Sequence, residues 1–173
     1  MDSYLLDTLL RMAEHPRLYA PKWSVEILNE VSRNLQAKFR LAPEKVNYLL
    51  GVMTDAFPDA MVCGYESLMD SMTCHPKDRH VLAAAVRSCS DVIVTYNRKD
   101  FPPQSLDPFD IEVQSPSQFL IHILHIDSES VRRRIGRFAQ DRCTSETALL
   151  ADLERRVPGF VAAYRVQFPA LGT

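Results

Sequence analysis

The sequence predicts an α/β fold built on a parallel sheet, and three observations predict it. The clearest helix opens at Pro76 and repeats Val81, Leu82, Ala85, Val86 and Cys89 at i, i+1, i+4, i+5 and i+8. Directly after it comes Asp91-Val92-Ile93-Val94-Thr95-Tyr96-Asn97, a β-branched, mainly apolar run of the kind found in a parallel strand covered on both faces. The chain has 173 residues, 46% of them hydrophobic, which suits one compact domain with a small helical appendage.

The other elements follow along the chain. Tyr4, Leu5, Leu9 and Met12 recur at helical spacing up to Pro16, so residues 3–15 read as an amphipathic helix. Leu18-Tyr19-Ala20 reads as a connector or short strand. Ser24 is a good N-cap for a second helix running to about residue 37, with Glu26 in its first turn and Ile27, Leu28, Val31 and Leu35 on one face. Pro43 opens a third helix that ends at Phe57, and Ala60-Met61-Val62-Cys63 reads as a short buried strand. Ile111-Glu112-Val113, beyond the proline-rich loop 101–109, reads as an edge strand. From Ser117 onward the pattern is helical, broken near Asp127, Thr144 and Pro158.

Composition excludes several classes. Lys+Arg 20 against Asp+Glu 22 leaves a net charge of −2 and a pI near 6.2, so nucleic acid would have to be held by a local basic patch. Apolar runs are only a few residues long and no basic-then-apolar leader opens the chain, so neither a membrane span nor a secretory signal is expected, and a cytoplasmic protein is. Cys63, Cys74, Cys89 and Cys143 form no CxxC pair and read as reduced, buried thiols.

Three acids stand out by position. Asp100 lies just beyond the carboxyl end of the Asp91–Asn97 run, where open α/β sheets bind ligands. Asp78 lies one turn before Leu82, toward the packed side of its helix. Glu30 borders the apolar stripe of the second helix. Two carboxylates about 4 Å apart repel by roughly 4 kcal/mol at an effective dielectric near 20, and a divalent cation removes that repulsion. Oxygen ligands of this type suit Mg²⁺ or Mn²⁺. Each acid has a plainer reading too: Asp78 as a helix N-cap, Asp100 as a turn residue and Glu30 as a solvated helix side chain.

The stretch Asp78-Arg79-His80-Val81-Leu82-Ala83-Ala84-Ala85 and the run Asp91 to Phe101, with its Asn97-x-x-Asp100-Phe101 loop, resemble the PIN-domain nucleases. Trp23-Ser24-Val25-Glu26-Ile27-Leu28-Asn29-Glu30-Val31 resembles that family's early helix, whose acid falls on Glu30. The resemblance covers roughly residues 4–126 and is closest to the VapC-like toxin branch with a C-terminal helical extension. It implies a three-layer α/β/α fold with a parallel sheet, a nuclease domain over 1–126 and a helical extension over 127–173. It also implies metal-dependent hydrolysis of RNA phosphodiester bonds, with Glu30, Asp78 and Asp100 as the catalytic, metal-holding acids for Mg²⁺ or Mn²⁺. Thr95 and Asn97 would aim those carboxylates. The implied partners are an RNA substrate and a protein antitoxin, with a homodimer compatible and no membrane.

The family's first strand, central in the sheet and ending in an aspartate, is not expected in the chain as given. Leu5-Leu6-Asp7-Thr8 imitates its ending, but the interval to Trp23 is too short for a strand, a turn and a helix, so Asp7 is expected in a helix. Either the natural chain begins upstream, or the protein has one strand and one acid fewer. The second case motivates an alternative function, a catalytically impaired PIN-like module that binds RNA or an antitoxin without cutting. Among the remaining features, Arg132, Arg133, Arg134, Arg137 and Arg142 form the one basic cluster, readable as a solvated helix face or a phosphate contact. His75 and His80, five apart, do not share a helical face, and His122 and His125 at i, i+3 lack a third ligand. His80 reads as a packing or hydrogen-bonding residue, and His122 and His125 as structural.

Overall fold

The computed structural model describes residues 3–169 and is mostly helical, with a small two-stranded parallel sheet. The described residues fall into two compact units, Pro21–Gln114 and residues 3–20 with 115–169. These units divide the chain differently from the 1–126 and 127–173 partition expected from sequence. The reason is packing: α1 (Ser3–Ala13) rests on α7 (Ser128–Asp141) and α8 (Glu146–Glu154), far along the chain.

In the first unit, α2 (Val25–Phe39) starts where Ser24 Oγ accepts the Ile27 N–H, and α3 (Pro43–Ala56) has its proline in the first turn. Trp23 is buried and packs edge-on against Phe57, ring centres 5.9 Å apart. A 3-10 turn, Pro76–Asp78, leads into α4 (Arg79–Arg87), whose Leu82 and Ala83–Ala85 are buried. Small side chains at these positions let the helix lie close to its neighbours. β1 (Val92–Val94) pairs in parallel with β2 (Glu112–Gln114), joined through the short helix α5 (Pro103–Leu106). Leu82, Ile93, Phe101, Leu106 and Ile111 belong to one buried cluster with Val62 and Tyr65.

Two strand expectations are corrected. Ala60–Cys63 is not a strand: Ala60 closes a 3-10 turn from Pro58, and only Met61 pairs, in an isolated parallel bridge to Trp23. The Trp23 N–H donates to Ala60 O at 2.9 Å and the Val62 N–H to Trp23 O at 2.8 Å. The Asp91–Asn97 run is a strand over three residues only, and Ile93 alone is fully buried in it. The thiols are likewise corrected. All four are free, but only Cys74 is buried. Cys89 and Cys143 sit just past helix ends at φ 51° and 50°, a left-handed position where the chain turns outward.

The second unit is helical. Ser115 and Gln118 cap α6 (Pro116–Ile126) reciprocally, and Asp127 caps α7 by accepting the Ser130 N–H. α9 (Pro158–Gln167) packs on α6 and α8. Gly159 permits the close start of α9: a Cβ there would lie 3.0 Å from Ser117 Oγ, which accepts the Phe160 N–H. Phe138, Leu149, Leu153, Phe160 and Tyr164 are fully enclosed. Asp7 lies in α1, as expected, and pairs with Arg11 at 3.0 Å and Arg142 at 3.2 Å. Among the described residues no helix is long and apolar enough to cross a membrane.

Candidate metal centre

Pro76 fixes the entry to the centre. Its ring favours an extended residue before it, and His75, at ψ 134°, is one. The His75 backbone N–H then donates to Asp100 O at 2.9 Å, tying the segment before α4 to the turn after β1. Two loops distant in sequence are thereby clamped together. One ligand atom each from His75, Asp78 and Asp100 lies within 4.8 Å of the others, and His75 Nδ1 is 3.6 Å from Asp78 Oδ2.

Asp78 occupies the N-cap position of α4, where its charge faces the helix N-terminus, and it makes no side-chain capping bond there. Asp100 closes the 3-10 turn Arg98–Asp100 and accepts a hydrogen bond from the Asn97 side-chain amide on Oδ2. Thr95 Oγ1 in turn accepts the Asn97 backbone N–H at 3.0 Å. Glu30 lies on α2, outside the 4.8 Å group, with Oε2 3.8 Å from His80 Nε2 and Oε1 3.8 Å from Arg33. His80 is only 7% exposed, and its Nε2 has no hydrogen-bond partner among the described residues.

The structure therefore brings Asp78 and Asp100 together, leaves Glu30 at the border and adds His75. Helical-face arguments set His75 aside, but it precedes the helix, where they do not apply. The signal available in sequence was His-Pro immediately before the acid-bearing turn.

The electrostatics are those of a crowded anionic site. Burial first, then Asp100 and Glu30, push the Asp78 carboxyl above the ordinary aspartate range, while His75 and His80 pull it back. Burial, followed by Asp78, also raises the Cys74 thiol. A carboxyl whose folded pKa is raised holds protons that the unfolded chain has released, so stability falls as pH rises through that window. In EDTA, Asp78→Asn is accordingly expected to melt above wild type at pH 7, with the gap closing below the ordinary aspartate pKa of about 3.9. A gap that stays constant into acid would show that ionisation of Asp78 is not its cause.

Two carboxylates and an imidazole at this separation, with one carboxyl already destabilised as an anion, fit a divalent cation. Over 114 residues the chain is 40% identical to a protein of Mycobacterium tuberculosis (strain ATCC 25618 / H37Rv) named "Putative ribonuclease VapC50", a match spanning 64% of this chain and 68% of that one. No family model and no solved structure matches the chain.

Proposed function

The chain belongs to the VapC-like PIN-domain family, and from that membership we propose that it is a metal-dependent endoribonuclease, the toxin of a toxin–antitoxin pair. The observation that carries the reading is the convergence of Asp78, Asp100 and His75 in a chain 40% identical to a protein named as a ribonuclease. Asp78 and Asp100 would hold Mg²⁺ or Mn²⁺, with the His75 nitrogen as a further donor, and the bound ion would supply Lewis acidity for activating water and for offsetting charge on the phosphoryl oxygens. Glu30 completes the acidic wall from α2. The Asn97 amide holds Asp100 in place, and Thr95 holds Asn97. The three-layer PIN architecture over 1–126, the helical extension over 127–173, an antitoxin partner, a homodimer and a cytoplasmic location belong to the same proposal.

Purified protein given single-stranded RNA is expected to cleave with Mn²⁺ or Mg²⁺ and to stop on addition of EDTA. Cleavage that persists in EDTA would defeat the metal reading, and RNA binding without cleavage under either ion would establish the impaired module instead.

The Asn97 link carries its own prediction. Asn97→Ala removes the donor that orients Asp100 at a residue that is itself exposed, and loss of such an outer partner typically costs about 10–100-fold in metal affinity. Calorimetric titration with Mn²⁺ should show that loss at an unchanged melting temperature. Equal affinity would remove Asn97 from the positioning role.

A further inference from the structure

The arginines of α7, with Arg142 just past its end, divide into two groups. Arg142 reaches Asp7 and lies 4.5 Å from the centre of the Tyr4 ring, and Arg132 lies 5.0 Å from the centre of the Phe168 ring. Arg11, on the neighbouring α1, bonds both Asp7 and Asp141. Arg133, Arg134 and Arg137 have no carboxylate within ion-pair distance among the described residues. All three line one depression of about 110 Å³, together with Arg11 and His15, and Glu14 is the single acid among its described lining residues.

The depression is built. Arg134 is held by the backbone carbonyls of Glu14 and Pro16, and Arg133 donates to Ser130 Oγ at 2.6 Å. Asp127 bears on it from the helix start, its carboxyl held below the ordinary range first by hydrogen bonds from Ser130 and then by Arg133 and Arg134. Asp127 is not itself among the lining residues, but it accepts the N–H of Ser130, which is. Arg133 and Arg137 stand one turn apart with like charge, an arrangement that destabilises a helix unless an anion sits between them. Arginine forks match the paired oxygens of a phosphate.

We propose that this depression binds a backbone phosphate of the RNA strand. The proposal rests on the ribonuclease reading for the identity of the strand, but its test uses no cleavage. A fluorescent single-stranded RNA oligonucleotide is titrated in EDTA at several salt concentrations, with inorganic phosphate as a competing arm. Each arginine lost from a single-strand contact flattens the slope of log affinity against log salt by about 0.7. Arg133→Gln with Arg137→Gln should therefore flatten it by about 1.4, and each single substitution by about 0.7.

Arg155→Gln with Arg165→Gln removes two exposed, ion-paired arginines from elsewhere in the same unit and should leave the slope as in wild type. An unchanged slope in the Arg133 and Arg137 variants, or equal flattening in the control, overturns the proposal. At matched ionic strength, inorganic phosphate should weaken RNA binding more in wild type than in the doubly substituted protein, and equal weakening in the two would overturn the proposal as well. Loss of metal-dependent cleavage with this slope difference preserved would count against the ribonuclease reading alone.

Discussion

Asp100→Asn is expected to cut metal-dependent RNA cleavage by well over about 100-fold, more than the loss of an outer partner costs, while leaving the melting temperature in EDTA unchanged or slightly raised. The amide has the size of the carboxyl and can still accept the hydrogen bond that Asn97 donates, so the turn Arg98–Asp100 keeps its shape. What disappears is a full negative charge, and with it both the attraction for a cation and the repulsion of Asp78. Single-turnover cleavage of a labelled RNA, with Mn²⁺ titrated, measures the effect. Turnover equal to wild type would mean that the observed nuclease works elsewhere or is a contaminant.

Phe138→Ala is expected to destabilise the protein by about 3–5 kcal/mol, the range for deleting a fully buried aromatic ring. Phe138 is 0% exposed, its ring centre is 6.2 Å from that of Tyr4, and the guanidinium carbons of Arg11 and Arg142 lie 4.5 and 5.3 Å from it. The substitution therefore removes apolar packing and two cation–π contacts together, and the helices around it are too interlocked to collapse into the gap. Denaturant unfolding should show a lower midpoint. A loss below about 1 kcal/mol would mean that α1 and α7 are only loosely associated.

Helices were readable because their signals are local. Ser24 announces its helix start by residue type, and the breaks near Asp127, Thr144 and Pro158 fall where α6 to α9 end or begin. Strand lengths were not, because a strand extends only as far as its partner does. The run from Asp91 to Asn97 could pair throughout, yet β2 offers three residues, and Thr95 Oγ1 takes the Asn97 N–H and turns the chain. Met61 pairs with Trp23 across 38 positions of sequence, a distance no periodicity reports. The acids were legible for the same reason in reverse: Asp78 and Asp100 were picked out by their addresses at a helix start and a strand end. His75 has no such address, since a backbone bond to Asp100 brings it in.

The ion pair between Arg11 and Asp141 spans 130 residues, so α1 is completed by a helix far along the chain. At about 5–20 residues per second, roughly 6–25 s of synthesis separate the two side chains. Through that interval Leu5, Leu9 and Met12, all buried in the finished protein, emerge from the ribosome without the α7 and α8 surfaces that cover them. Closing so long a loop costs roughly 4 kcal/mol of chain entropy, plus a constant. The acids Asp78 and Asp100 lie in the other compact unit, Pro21–Gln114, whose stretch of sequence is continuous and needs no closure of this length.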